Sequence, residues 1–370
     1  MEKKKILIVS RSFYPMNSPR SFRTTELAKE FARQGHEVTV LTLKNSEHIA
    51  FEKENNIKIK DLGQQKWKPI ELKGKGLPLL IRRVIKRFTK LLFEYPEIEL
   101  SSMVARALKK ESGFDMLISI AVPYPIHWGV ARVWKRNGKS NPAKVWIADC
   151  GDPYMGKEND SFKVPFYFKF VEKWFFRKTD YVSVPTEGSK DGYYKEFHPK
   201  IRVIPQGFRF DEINTKSQHQ EEGKIKFAYA GAFMPGRRDP TELCDYLLRK
   251  NINYEFHIYT QHIDLVKKYK KLSGGKIVIK DIIPRPELLY NLGEMNFVVN
   301  FENAGHKQTP SKLIDYALIQ KPILSIKTGA LDPNIVDEFL DGNYTHGYKV
   351  ENIERYKIEN VVEAFLTLSK

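Results

Sequence analysis

Short apolar runs alternate with longer segments of helical spacing along the whole chain. The run "KILIVS" at 5–10 is followed by the polar "RSFYPMNSPR", then by "SFRTTELAKEFARQGHE" and "VTVLTL". In the third of these segments Phe22, Leu27 and Phe31 recur at helical spacing, and Gly35 stands where a left-handed C-terminal cap is wanted. Strand, loop, helix and strand in that order make a βαβ unit, which opens a parallel sheet. Further strands are predicted at "MLISI", "AKVWIAD", "DYVSVP" and "IRVIP", with helices between them. The turn Gln206-Gly207 and the charged stretch "DEINTKSQHQEEGK" then break the pattern. Beyond that break the alternation resumes with "IKFAYAG", "YEFHIYT", "KIVIKDII", "NFVVNF" and "PILSI".

The expected fold is therefore α/β, with one Rossmann-like domain at 1–205 and a second at 206–370. A chain of 370 residues suits two such cores. Tandem domains of this kind imply a cleft between them, and ligands of such sheets bind outside the carboxyl ends of the strands.

Composition narrows the setting. No apolar run is long enough to span a bilayer, and the apolar stretch in "MEKKKILIVS" is too short for a signal peptide, so Ile6 to Val9 reads as a buried strand. Cys150 and Cys244 are far apart, without a CxxC or Cys/His cluster, which suggests neither a disulfide framework nor a zinc site and points to a reducing cytoplasm. A formal net charge of +17 favours anionic partners. Nucleic acid, an acidic membrane face and a phosphorylated small molecule all fit that charge.

Neither half carries a complete G-x-G-x-x-G or G-x-x-x-x-G-K-[ST], which argues against an ordinary dinucleotide dehydrogenase and a P-loop NTPase. A helix N-terminus offers another phosphate device, because its unpaired N–H groups and positive dipole end favour an anion. "TPSKLIDYALIQKPIL" at 309–324 fits: Thr309 or Ser311 can cap, Pro310 suits the first turn, and Lys312 adds charge. Asp315, about one turn further in, can accept hydrogen bonds from sugar hydroxyls. The same residues also describe a plain capped helix with a surface lysine.

Other loops offer candidates with ordinary readings beside them. In "YAGAFMPGRRDP", Gly231 lets a ligand approach the backbone and Arg237 and Arg238 can grip phosphate, although such loops are also common surface turns. "FYPMNSPRSFR" supplies Asn17, Ser18, Arg20 and Arg23 to an acceptor or cleft loop. The catalytic candidates are Asp149 and Asp152 in "IADCGDPY" and His127 in "VPYPIHWG", whose alternatives are turn formation, capping and packing. Residues 79–93 put Leu80, Ile81, Val84, Ile85, Phe88, Leu91 and Leu92 on one helical face, and Arg82, Arg83, Lys86, Arg87 and Lys90 on the other. Such a helix either packs on a sheet or lies on an anionic membrane, and the aromatic and basic segment 164–178 is open to the same two readings. No RNA- or DNA-reading motif accompanies the basic segments, so nucleic acid is not an expected partner.

The order of "LAKEFARQGHEVTVLT", "VIPQGF", "FAYAGAF" and "TPSKLIDYALIQKPIL" resembles the retaining glycosyltransferases of family four, over nearly the whole chain. The resemblance implies the GT-B architecture of two facing Rossmann-like domains. It also implies a nucleotide-diphosphate sugar on the second domain, a glycan or lipid-linked acceptor on the first, and a role in cell-surface polysaccharide synthesis. Ser311 and Lys312 then lie by the diphosphate, Asp315 takes the place of the ribose-binding glutamate, Arg237 or Arg238 neutralises phosphate, and backbone near Ile282 and Ile283 faces the base. Transfer proceeds without a cofactor or a required metal, through an oxocarbenium-like transition state, with the leaving diphosphate stabilised by cations and the helix dipole.

The chain departs from the family pattern at several places. Lys307 stands eight residues before Asp315, where the family often has glutamate, with Glu302 further upstream. "MNSPR" replaces a glycine pair, Gly151-Asp152 replaces an Arg-Asp pair, and His127 falls several residues late for the histidine of some members. These departures support a rival reading, a non-catalytic sugar-nucleotide or glycan binding protein of the same fold.

Overall fold

The computed structural model describes residues 2–136, 138–156, 164–211, 223–302 and 311–369, with the side chain of Ser311 left out. Two compact units divide the chain: Met1–Phe208 with Ile358–Lys370, and Arg209–Lys357.

In the first unit seven strands form a parallel sheet: β1 (Lys5–Ser10), β2 (Glu37–Thr42), β3 (Lys58–Asp61), β4 (Phe114–Ala121), β5 (Ala143–Cys150), β6 (Tyr181–Val184) and β7 (Ile201–Val203), in spatial order β3-β2-β1-β4-β5-β6-β7. Ile6 and Ile8 of β1 pair with Val38 and Val40 on one side and with Met116 and Ile118 on the other. These strands read as nearly continuous apolar runs because both faces of a parallel sheet are covered by helices. Successive side chains alternate between the faces. Ile6, Ile8, Val38 and Met116 meet Leu27 and Phe31 of helix Pro19–Arg33, whereas Leu7, Val9, Leu117 and Trp146 meet the helices at 99–108, 125–133 and 168–178. Helix Pro19–Arg33 is capped by Ser18, whose Oγ accepts from the Ser21 N–H at 3.2 Å, and Gly35 follows it with φ +87.

The last helix, Ile358–Thr367, belongs to this unit and not to the second one, as the boundary at 206–370 had it. Its apolar face, Val361, Val362 and Phe365, is fully buried against the face that carries Phe31. The Ile358 N–H donates to Phe208 O at 2.9 Å, and Arg33 pairs with Glu359 at 2.8 Å. A helix goes where its apolar stripe finds cover, and sequence order does not record that place.

The second unit holds five parallel strands: β8 (Ile225–Ala230), β9 (Tyr254–Tyr259), β10 (Ile277–Lys280), β11 (Phe297–Phe301) and β12 (Ile323–Ile326), ordered β10-β9-β8-β11-β12. Phe227, Phe256 and Phe297 stack across neighbouring strands on one face, with centroids 4.5 to 4.8 Å apart. On the other face Ala228 and Ala230 leave room for helices Arg285–Gly293 and Ser311–Leu318. The Ala230 N–H donates to the Tyr316 hydroxyl at 2.9 Å, which ties the end of β8 to the second of those helices.

Candidate functional site

Parallel strands place the loops after β8, β10 and β11 at one edge of the second sheet. After β8, Gly231 has φ +149, and a Cβ there would stand 3.0 Å from the Tyr229 hydroxyl, so the turn requires glycine. The loop is closed by the Met234 N–H donating to Arg238 O and the Arg237 N–H donating to Met234 O, both at 3.1 Å. Arg237 is exposed and Arg238 half-buried. Arg238 Nη2 lies 3.4 Å from Met234 Sδ, and its Nε is closed to solvent without a hydrogen-bond partner among the described residues.

Lys312 is in the first turn of helix Ser311–Leu318. Its Nζ is also closed to solvent, has no hydrogen-bond partner among the described residues, and sits 4.4 Å from the centroid of the Tyr229 ring. Burial, reinforced by the charge of Arg238, lowers its pKa to about 7. An ammonium held without an anion is costly. Two basic groups thus lie beside a helix start and a glycine turn, an arrangement whose electrostatics favour an anion. Ile282 is exposed and Ile283 half-buried, in the loop that follows β10. Thr309, Pro310 and Lys307 lie outside the described residues.

Asp315 points to a partner that the sequence reading did not single out. Arg285 donates to its Oδ1 from Nη2 at 2.6 Å and from Nε at 3.1 Å. Burial raises the Asp315 pKa, and Arg285 opposes the rise. Arg285 stands between two prolines at the start of its helix, and a cation at such a loop-to-helix junction is the signal that could have marked it. Glu302, just past β11, accepts from Ser325 Oγ at 3.1 Å.

In the first unit the candidates separate into two groups. Arg23 is buried and grips Asp149 through two bonds, Nε to Oδ2 at 2.6 Å and Nη2 to Oδ1 at 2.7 Å. It also donates to Pro205 O and Ile204 O, while Ser183 Oγ donates to Asp149 Oδ1. Burial raises the Asp149 pKa, yet Arg23 outweighs it and the net shift is downward. His127 is fully buried, with Nδ1 2.8 Å from Ser119 Oγ and Nε2 3.5 Å from Cys150 Sγ, and stacks on Phe175. Burial lowers its pKa to about 3, so it is neutral at pH 7. Asp149 and His127, expected as catalytic groups, and Arg23, expected in a cleft loop, thus occupy the enclosed positions that the packing alternative describes. All three are enclosed, and their polar atoms are already engaged with protein.

The second group is accessible. Asn17 is exposed, Ser18 serves as the cap already described, and Arg20 Nη2 lies 3.4 Å from Asp152 Oδ2. A Cβ at Gly151 would collide with the Arg20 guanidinium at 1.5 Å, so the glycine lets the arginine lie flat on the backbone beside Asp152. The Asp152 side chain is 44% exposed and can meet a ligand.

Comparisons with known proteins bear on the fold and the family. No curated relative matches the chain by sequence. TarM is similar over 100% of this chain and 99% of its own, with 12% identity and a TM-score of 0.63. A glycosyltransferase from Rickettsia africae is similar over 100% and 94%, with 11% identity and a TM-score of 0.59. Anabaena Alr3699/HepE, solved in complex with UDP-glucose, is similar over 98% of both chains, with 11% identity and a TM-score of 0.59. At these identities the likeness is one of fold, the two-domain parallel α/β architecture of GT-B glycosyltransferases. The family described as Glycosyltransferase Family 4 matches residues 22–212, more than half of the sequence. The chain belongs to glycosyltransferase family 4.

Proposed function

We propose that this glycosyltransferase moves a sugar, with retention, from a nucleoside-diphosphate sugar held by the second unit to a glycan or lipid-linked acceptor held by the first. The reading places it in cell-surface polysaccharide synthesis, in the cytoplasm at the inner face of the membrane. The observation that carries the donor assignment is the Lys312 ammonium, closed to solvent without a hydrogen-bond partner among the described residues and pressed by Arg238. A diphosphate there supplies the missing charge to both.

In this reading the N–H groups at the start of helix Ser311–Leu318, with Lys312, Arg237 and Arg238, take the diphosphate. Gly231 admits it to the backbone. Asp315, aligned by Arg285, takes the ribose, and the loop at Ile282 and Ile283 lies along the base. Asn17, Ser18, Arg20 and Asp152 face the acceptor. As the bond from the anomeric carbon to the β-phosphate oxygen breaks, negative charge grows on the diphosphate, where the cations stabilise it. The acceptor oxygen bonds to the same face of the sugar, and its proton passes to the departing phosphate oxygen. No metal is required by this route. That a similar fold, HepE, was solved with UDP and with UDP-glucose makes uridine nucleotides the first probes.

A thermal-shift series with UDP, GDP, ADP and their sugars tests the donor site, because a ligand of the native state raises the melting temperature. At least one should do so at millimolar concentration; no response to any of them sinks the assignment. Release of nucleoside diphosphate that depends on an acceptor then separates a transferase from a binding protein of the same fold.

A further inference from the structure

Helix Leu77–Phe93 lies outside both cores. None of its residues is buried, and Leu80, Ile81, Val84, Ile85 and Phe88 are 45 to 56% exposed along one stripe. Single exposed apolar residues are ordinary, but a contiguous stripe on a helix means a missing partner. The first sheet cannot be that partner, since its two faces are covered by the other helices of the unit.

The charge pattern identifies what fits. Arg82, Arg83, Lys86, Arg87 and Lys90 occupy the opposite face, and the helix has no acidic residue. A second copy packed stripe to stripe would leave those cations facing outward without a counter-charge, whereas an anionic surface answers both faces. The Tyr167 hydroxyl donates to Leu92 O, so the aromatic segment 166–170 adjoins the end of this helix. Phe166 and Phe170 are 76% and 65% exposed there. Among the described residues no helix is long and apolar enough to cross a membrane.

We propose that helix Leu77–Phe93 and the adjoining Phe166 and Phe170 form one docking face for an anionic lipid bilayer. The helix lies in the plane of the interface, with its stripe among the upper acyl chains and its cations among the headgroups. The two elements, distant in sequence, act as one surface. This docking does not depend on the sugar-nucleotide site and can be tested apart from it.

The test is flotation of the full chain with vesicles of phosphatidylcholine alone and with added phosphatidylglycerol. Binding should rise with anionic lipid and fall as salt goes from about 50 to about 500 mM. R82Q/R83Q/K86Q should lower partitioning on the order of a hundredfold. V84D/F88D should abolish it, and F166A/F170A should weaken it severalfold. Because the altered side chains are exposed, melting temperature and UDP binding should stay as in the wild type, which separates a docking defect from misfolding or a failed donor site. Absence of wild-type binding to anionic vesicles overturns the proposal. So does unchanged binding by V84D/F88D, which leaves only surface charge, or by F166A/F170A, which removes the second element. Self-association of the wild type that V84D/F88D abolishes, with no lipid binding, assigns the face to a second copy instead.

Discussion

Each unit buries cationic groups near the carboxyl ends of its strands, and the two do so in opposite ways. In the first, Arg23 has a bidentate carboxylate and two backbone carbonyls, so its charge is spent on joining helix Pro19–Arg33, β5 and the segment after β7. In the second, Lys312 and the Arg238 Nε are closed to solvent without such partners among the described residues. A satisfied buried charge fixes a fold, whereas an unsatisfied one keeps an open demand for a ligand. Having an arginine or lysine at a strand end does not reveal which of these it is.

Breaking the satisfied pair should have the largest effect. Asp149→Ala leaves the Arg23 guanidinium buried without its carboxylate and should cost about 3 to 5 kcal/mol of stability, read by denaturant unfolding. If the loss is below about 1 kcal/mol, the pair is not what joins these elements. Because the folded Asp149 pKa is lowered, its contribution is present above the ordinary carboxylate pKa and is lost as pH falls through the folded value.

Removing the unsatisfied charge should act in two directions. Lys312→Met should weaken nucleoside diphosphate binding by about 2 to 4 kcal/mol by calorimetry. The same change should stabilise the empty protein by about 1 kcal/mol at pH 6, seen as a higher melting temperature, since a costly buried ammonium is gone. The sign follows from the lowered pKa: below pH 7 the folded state carries the buried ammonium and its full cost, and between pH 7 and the unfolded value folding expels the proton, so the cost fades as pH rises. A melting temperature that falls on substitution would contradict the contrast.

Smaller effects sharpen the picture. Arg285→Gln leaves Asp315 without its aligned partner and should cost about 1 to 2 kcal/mol in nucleotide affinity, with less change for inorganic pyrophosphate, which has no ribose. Equal losses for the two ligands would remove Asp315 from the ribose. Leu80→Ser, on the exposed helix, should change stability by no more than about 0.5 kcal/mol, because among the described residues that side chain is 56% exposed.

Much of the architecture is legible in the sequence for a physical reason. Strands buried on both faces must be apolar throughout, so β1, β4, β5 and β11 stand out as runs. β3 escapes because it is a four-residue edge strand whose single isoleucine, Ile59, stands between two lysines. Helix Ser311–Leu318 is also legible, although phosphate recognition and plain helix capping are written in the same local chemistry. What the sequence hides is enclosure. His127 and Asp149 lie at a helix and a strand end like any ligand-facing residue, and only packing shows them sealed. Arg285 and Asp315 are thirty positions apart, and their contact is set by two helices lying on the alanine-lined face of one sheet. Helix Leu77–Phe93 shows its amphipathic pattern plainly, but a stripe that seeks a core and one that seeks a membrane are spelled alike.

The most direct test of the account is calorimetric UDP affinity from pH 7 to pH 9, for the wild type and for Lys312→Met. A Lys312 pKa near 7 in the empty site, raised by the bound diphosphate, predicts that wild-type affinity falls about tenfold for each unit above pH 7 and that the variant is weak and nearly flat. Equal affinity for the two proteins, with the same pH dependence, would show that Lys312 does not hold the diphosphate.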